Sequence, residues 1–169
     1  MRKTIVGVMG PGDRASPIDL DNAYQLGRSI AQKGWVLLTG GRKVGVMDAA
    51  SRGAKASGGL TVGILPTDSA EVVSEAVDIA IVTDLGNARN NINVLSSDVV
   101  IACGMGIGTA SEVALALKNG KKAILLTQDP DSQRFFSNLS PDNILLADSP
   151  ETAIALAQQI IENNLDFRF

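Results

Sequence analysis

The sequence predicts an α/β fold: a doubly wound, mostly parallel sheet of about six to seven strands with helices on both faces. Three observations carry this prediction. Short apolar runs rich in β-branched residues alternate with segments of helical periodicity along the whole chain. Runs such as Val99-Val100-Ile101-Ala102 and Ala123-Ile124-Leu125-Leu126 show no polar alternation, as expected of central strands buried on both faces. Glycine-rich turns follow several of these runs, where such a sheet passes the chain to its next helix.

Ile5 to Met9 reads as the first strand. Ser16-Pro17 supplies an N-cap and a proline at the first helical position, and Leu20, Ala23, Ile30 and Ala31 follow at helical spacing up to Gly34. Trp35 to Thr39 is the second strand, and Gly40-Gly41 turns the chain into a helix from about Gly45 to Ser57. Leu60 to Leu65 is the third strand, followed by a short helix over Ala70 to Ala76 and a fourth strand from Ile79 to Thr83. A helix over Asn87 to Ser97, with Asn87 as N-cap, precedes the fifth strand, Asp98 to Cys103. A helix over Thr109 to Asn119 leads to the sixth strand, Ala123 to Thr127, and Asn143 to Leu146 reads as a short edge strand. Ser149-Pro150 caps a last helix that buries Ala153, Ile154, Leu156, Ala157, Ile160 and Ile161.

The 169 residues suit a single domain spanning 1–169, with no repeat and no linker. A net charge of −3 and a sequence pI of about 4.9 argue against a nucleic-acid surface. The longest apolar runs are strand-length, so no membrane span is expected. The basic and then apolar N-terminus is broken early by Gly10-Pro11-Gly12 and reads as a strand, not a signal peptide. With one cysteine, Cys103, and no histidine, the sequence excludes an intrachain disulfide, a His/Cys zinc site within one chain and a histidine base. A cytoplasmic location and no protein-ligated metal are expected.

Ligands of such sheets bind beyond the carboxyl ends of the strands. Four turns should reach that edge: Gly10-Pro11-Gly12-Asp13, Gly40-Gly41-Arg42, Asp84 to Arg89, and Gly104-Met105-Gly106-Ile107-Gly108-Thr109. The last joins a buried strand to a helix start, where free N–H groups and the helix dipole face an anion. Its three glycines let a ligand approach the main chain, and Thr109 offers a hydroxyl. It lacks the Gly-Lys-Ser/Thr ending of a P-loop. Glu112 has two readings. Thr109-Ala110-Ser111-Glu112 spells a capping box, in which the carboxylate returns a hydrogen bond to the Thr109 N–H. The other reading makes Glu112 an acid or base beside a bound sugar or phosphate. Arg89, in a first helical turn, opposes the helix dipole by about 0.3–1 kcal/mol, which a nearby anion would explain. Gly40-Gly41-Arg42-Lys43-Val44-Gly45-Val46-Met47 is a second glycine turn carrying two cations. Cys103 reads as a small core residue, with a soft-metal ligand as the minor alternative. Phe135, Phe136, Phe167 and Phe169 read as packing or subunit-contact residues.

At these residues the chain resembles the Lonely Guy (LOG) superfamily, once labelled lysine decarboxylase-like. Arg89 matches that superfamily's arginine by spacing. Gly106, Gly108, Thr109 and Glu112 match the end of its Pro-Gly-Gly-x-Gly-Thr-x-x-Glu motif, and Gly40 to Met47 looks like its Gly-Gly-Gly-x-x-Gly-Leu-Met segment. The resemblance covers most of the chain. It implies a Rossmann-like domain hydrolysing a nucleoside 5′-monophosphate to base and ribose 5-phosphate, with Arg89 and Glu112 as the catalytic pair. Gly104-Met105 replaces the motif's Pro-Gly, and Ser111 stands where many of those enzymes carry a first glutamate.

The opening Asn87-Ala88-Arg89-Asn90-Asn91 and the compact length look more like the molybdenum cofactor carrier proteins of the same superfamily. That resemblance implies a protein that binds, protects and hands on the molybdenum cofactor, a molybdopterin phosphate, without catalytic residues and usually as a homotetramer. It is the principal expectation, and the phosphoribohydrolase is the alternative. The binding residues it implies are Gly10, Pro11 and Gly12; Gly40, Gly41, Arg42, Gly45 and Val46; Asp84, Arg89 and Asn90; and Gly104 to Thr109 with Glu112. The partners it implies are a phosphorylated small molecule and molybdoenzymes or cofactor-synthesis proteins, with neither nucleic acid nor membrane. A homotetramer, or else a dimer, is the expected assembly.

Overall fold

Seven strands, β1 (Ile5–Met9), β2 (Val36–Thr39), β3 (Thr61–Leu65), β4 (Ile79–Val82), β5 (Val99–Cys103), β6 (Ala123–Leu126) and β7 (Ile144–Ala147), form one sheet in the order β4-β3-β2-β1-β5-β6-β7. Every pairing is parallel. The computed structural model describes residues 2–166, so Phe167 and Phe169 lie outside the described residues. Six helices connect and cover the strands: α1 (Pro17–Gln32), α2 (Gly45–Ala56), α3 (Arg89–Ser96), α4 (Ile107–Lys118), α5 (Pro130–Leu139) and α6 (Pro150–Asp166). This is a Rossmann-like α/β architecture. Among the described residues no helix is long and apolar enough to cross a membrane.

The period-two geometry of the strands splits the core into two layers. Val6, Val8, Leu37, Val99, Ile101, Ile124 and Leu126 face α1, α2 and α6 through Leu26, Ile30, Ala50, Ala54, Ala153 and Ala157. Met9, Leu38, Val100, Ala102, Ala123 and Leu125 face α3, α4 and α5 through Val94, Val113, Ala116 and Phe136. Two glycines inside helices set the spacing of the first layer. A Cβ on Gly27 would lie 2.0 Å from the Ala50 carbonyl oxygen, and one on Gly53 would lie 2.0 Å from that of Tyr24, so α1 and α2 touch backbone to backbone.

Most elements lie within a residue or two of their expected bounds, with three differences. The short helix expected over Ala70 to Ala76 is absent. That segment instead bridges to the turn after β2, where Val73 pairs with Arg42, the Lys43 N–H donates to Val72 O and the Ser74 N–H donates to Gly41 O. Its backbone groups are satisfied outside any helix, which removes the reason to form one. The helix α5 was not expected, although Asp129-Pro130 spells its start: the Asp129 carboxylate accepts from the N–H groups of Asp131 and Ser132. In α6, Leu156 and Ile161 sit at the margin of the core and are only partly buried.

The first and last strands of the order differ in cover. β7 is an edge strand, as expected, beginning one residue later than its expected span. At the other edge β4 is exposed along its length, with Ile79 46% and Ile81 44% accessible. Phe136 packs into the core while Phe135 is 61% exposed, the two rings meeting edge to face at 5.1 Å. Cys103 is a buried core residue whose Sγ lies 3.4 Å from the Asp19 carbonyl oxygen, and burial pushes its thiol up to about 12. A thiol held neutral in this way is a poor metal ligand.

Candidate functional site

The chain winds from β1 outward to β4 and then crosses back to place β5 on the other side of β1, so the direction of winding reverses between β1 and β5. Connections to neighbouring strands leave in opposite directions there and open a crevice at the carboxyl ends. A cleft of about 570 Å³ occupies this position. Its walls come from all four turns anticipated at this edge: Gly10 to Arg14, Gly40 with Arg42, Asn87 with Arg89 and Asn90, and Met105 to Thr109 with Glu112.

The helix starts at this cleft differ from the others in the molecule. α1, α5 and α6 begin under side-chain caps from Ser16, Asp129 and Ser149, and Ser16 with Asp19 completes a capping box. No side chain caps α2, α3 or α4. The N–H groups opening a helix need acceptors, and those at the head of α4 border the cleft. The α4 N-cap is Gly106 in extended conformation, which makes Thr109 the third helical residue and not the cap. The Thr109–Glu112 capping box is therefore not formed. Glu112 lies a turn too deep and instead accepts a 2.9 Å hydrogen bond from Asn93 Nδ2. The head of α3 is corrected likewise. A 3-10 turn over Gly86–Ala88 precedes it, Ala88 occupies the N-cap position, and Asn87 lines the cleft instead of capping.

Arg89 is the first residue of α3 and is buried. Its Nη1 donates to the Ile64 carbonyl oxygen at 3.1 Å, while its Nε has no partner. Burial lowers its pKa, and Glu112 only partly offsets this. Burial also pushes the Glu112 carboxyl up to about 7, against the Asn93 hydrogen bond and the attraction of Arg89. Among the described residues neither group forms an ion pair. Three buried polar atoms lack hydrogen-bond partners: Arg89 Nε and Thr109 Oγ1, on residues that line the cleft, and Asn93 Oδ1 behind it. Unpaired buried donors are costly, and two of them on the walls of one cleft mark a place for a polar ligand.

Several anticipated residues shape the cleft without lining it. Gly104 has φ +73° and sits against Asp19, where an added Cβ would come within 2.6 Å of the carboxyl carbon; it makes the tight turn out of β5. Gly41 and Gly45 also sit behind the wall, and the Val46 N–H donates to Pro11 O, tying the first two turns together. Asp84, at φ +52°, donates its N–H to Thr67 O and stands away from the cleft. Conversely, Val8, Met9 and Arg14 line it although nothing in the sequence singled them out, and Met47, the end of the second glycine segment, lines it although it was not among the expected binding residues. Asn93 was also missed. The available signal was a polar residue one helical turn after Arg89, on the same apolar stripe as Val94.

The chemistry open to this arrangement is recognition of an anion. Backbone N–H groups, a buried hydroxyl and a buried guanidinium converge, with Arg42 and Arg14 at the rim. The buried carboxyl of Glu112 beside them adds either a hydrogen-bonding group or an acid–base group.

Residues 3–154 match the SLOG cluster4 family. The molybdenum cofactor binding protein of the phototrophic bacterium Rippkaea orientalis superposes with a TM-score of 0.94 at 67% identity, covering 95% of this chain and 99% of that one. The molybdenum cofactor carrier protein of Chlamydomonas reinhardtii superposes with a TM-score of 0.91 at 52% identity, covering 95% and 99%. A cytokinin riboside 5′-monophosphate phosphoribohydrolase of Mycobacterium tuberculosis is 37% identical over 103 residues, which are 60% of this chain and 55% of that enzyme.

Proposed function

This chain belongs to the SLOG cluster4 family, and on that premise we propose that it binds, protects and hands on the molybdenum cofactor without chemical turnover. The observation that carries the reading is the pair of unpartnered buried donors on the cleft, Thr109 Oγ1 from the uncapped head of α4 and Arg89 Nε from the uncapped head of α3. Together with the free N–H groups of that helix they suit a phosphate monoester. The phosphate belongs to the molybdopterin rather than to a nucleotide, in keeping with the likeness to cofactor-binding proteins along nearly the whole chain. The cofactor's own dithiolene holds its metal, so the protein supplies only phosphate recognition and a cleft for the pterin.

The bound residues in this reading are those of the four turns, with Arg89, Thr109 and the Gly106–Thr109 backbone on the phosphate. We place the protein in the cytoplasm as a homotetramer, or else a dimer, delivering to molybdoenzymes or receiving from cofactor-synthesis proteins. The exposed apolar edge of β4 gives such an assembly a surface to cover.

The test is cofactor retention. Protein purified from a cofactor-producing host is expected to carry molybdenum and pterin in equal amounts and to slow the oxidation of added cofactor. Absence of both effects rejects the carrier reading. One observation favours the hydrolase: Arg89 and Glu112 line the same cleft. Incubation with AMP decides that point, because adenine release abolished by Glu112→Gln would establish turnover.

A further inference from the structure

The carboxyl of Glu112 sits in the same cleft as the donors that suit an anion, which places two negative groups in one confined space once a phosphate enters. Among the described residues only one of its oxygens is engaged: Oε1 accepts from Asn93 Nδ2, and Oε2 has no donor. The charged groups around it are few. Arg89 from α3 attracts it without pairing, Arg42 lines the cleft from the turn after β2, and Asp13 and Arg14 line it from the turn after β1. β5 and β6, packed beneath α4, present Val100, Ala102, Ala123 and Leu125 to it. The carboxylate and a bound phosphate would then share the same cations, of which only Arg89 is buried beside them. Like charges sharing a site push one of them to take up a proton.

We infer that Glu112 takes up one proton from solvent at Oε2 as an anion enters the cleft, so that ligand binding is favoured at low pH and release at high pH. The inference rests on the reading of the cleft as an anion site and adds its regulation. Balance is simple: anion and proton enter together, no covalent bond is made to the ligand, and the new O–H becomes a further donor to it. Burial already raises this carboxyl to about 7, so the proton is gained within an ordinary pH range. Arg89, itself pushed toward its neutral form by the same burial, stays charged at these pH values and remains the anion's partner.

Inorganic sulfate is the probe, because it does not titrate near neutrality. Its affinity is read from the backbone amide signals of Gly106 to Thr109 at about pH 6 and about pH 9, and the carbon signal of the Glu112 carboxyl is titrated with and without sulfate. The expected result is an affinity at least tenfold weaker at the higher pH, a Glu112 midpoint raised by sulfate, and an affinity independent of pH in Glu112→Gln. Equal sulfate affinity at both pH values with an unmoved midpoint overturns proton coupling and leaves the carrier reading standing. No amide shift in Gly106 to Thr109 at either pH overturns both. The carboxyl titration of the unmodified protein decides the matter even where Glu112→Gln fails to fold.

Discussion

Asn93 Nδ2 donates to Glu112 Oε1 at 2.9 Å, a side-chain bond that joins α3 to α4 beneath the cleft. Asn93 is fully buried and Glu112 is 7% exposed, so water does not screen the contact. The bond favours the charged carboxylate, yet burial wins and raises Glu112 to about 7. The balance leaves a carboxyl that is readily protonated at the floor of the cleft.

That balance predicts how stability varies with pH. An unfolded glutamate titrates near about 4.3, and the folded one near about 7. Between these values the folded chain holds a proton that the unfolded chain has lost. This contribution is fully present below about pH 4.3 and is lost as pH rises through the folded value. Glu112→Gln removes that dependence and is expected to stabilise the protein by about 1–3 kcal/mol at pH 8, with little effect near pH 4. Urea unfolding at the two pH values checks the sign.

Removing the phosphate donors should weaken binding without unfolding the chain. Thr109→Ala combined with Arg89→Ala is expected to lower affinity for a phosphate ligand at least tenfold, roughly 1.4 kcal/mol or more. Unchanged affinity by calorimetry would place the ligand elsewhere.

Gly40 keeps the guanidinium of Arg89 in place by having no side chain. An added Cβ would lie 2.2 Å from Arg89 Nη1 and 2.6 Å from Met47 Sδ, the far ends of two flexible side chains. Gly40→Ala is therefore expected to fold, at a cost of about 1–3 kcal/mol, while displacing Arg89 and weakening ligand affinity several-fold. The two effects separate when melting and ligand titration are measured on the same sample.

A cap away from the cleft should behave in the opposite way. Ser16→Ala removes the hydroxyl that accepts from the Asp19 N–H at 3.2 Å. The expected loss is about 0.5–2 kcal/mol, a fall of roughly 2–4 °C in melting temperature per kcal/mol for a chain of this size, with ligand affinity unchanged. A changed affinity would show that α1 reaches the cleft.

Much of the architecture was legible locally. Runs such as Val99 to Cys103 and Ala123 to Leu126 are apolar on both faces because a parallel strand meets helices on each side. Ser16-Pro17 and Ser149-Pro150 announce helix starts because their donors and acceptors lie within four residues. The positions of Arg89, Glu112 and the Gly104–Thr109 turn at one edge were also legible, since strand direction fixes which turns share it. The misplaced elements were those with competing partners. Ala70 to Ala76 forms no helix because its backbone pairs with a turn some thirty residues earlier.

The order of the strands, the direction of the sheet and the glycine turns at its carboxyl edge could be read from the sequence, because each depends on periodicity and neighbouring residues. What Glu112 touches follows from the tertiary packing. As a string, Thr-x-x-Glu is a helix cap; in the fold α4 starts two residues earlier, at Ile107, and the carboxyl turns to Asn93 and the cleft. The burial that lifts its pKa, and the unpaired donors of Arg89 and Thr109 beside it, arise where α3 and α4 pack across strands distant in sequence. No local pattern encodes the water excluded by that packing.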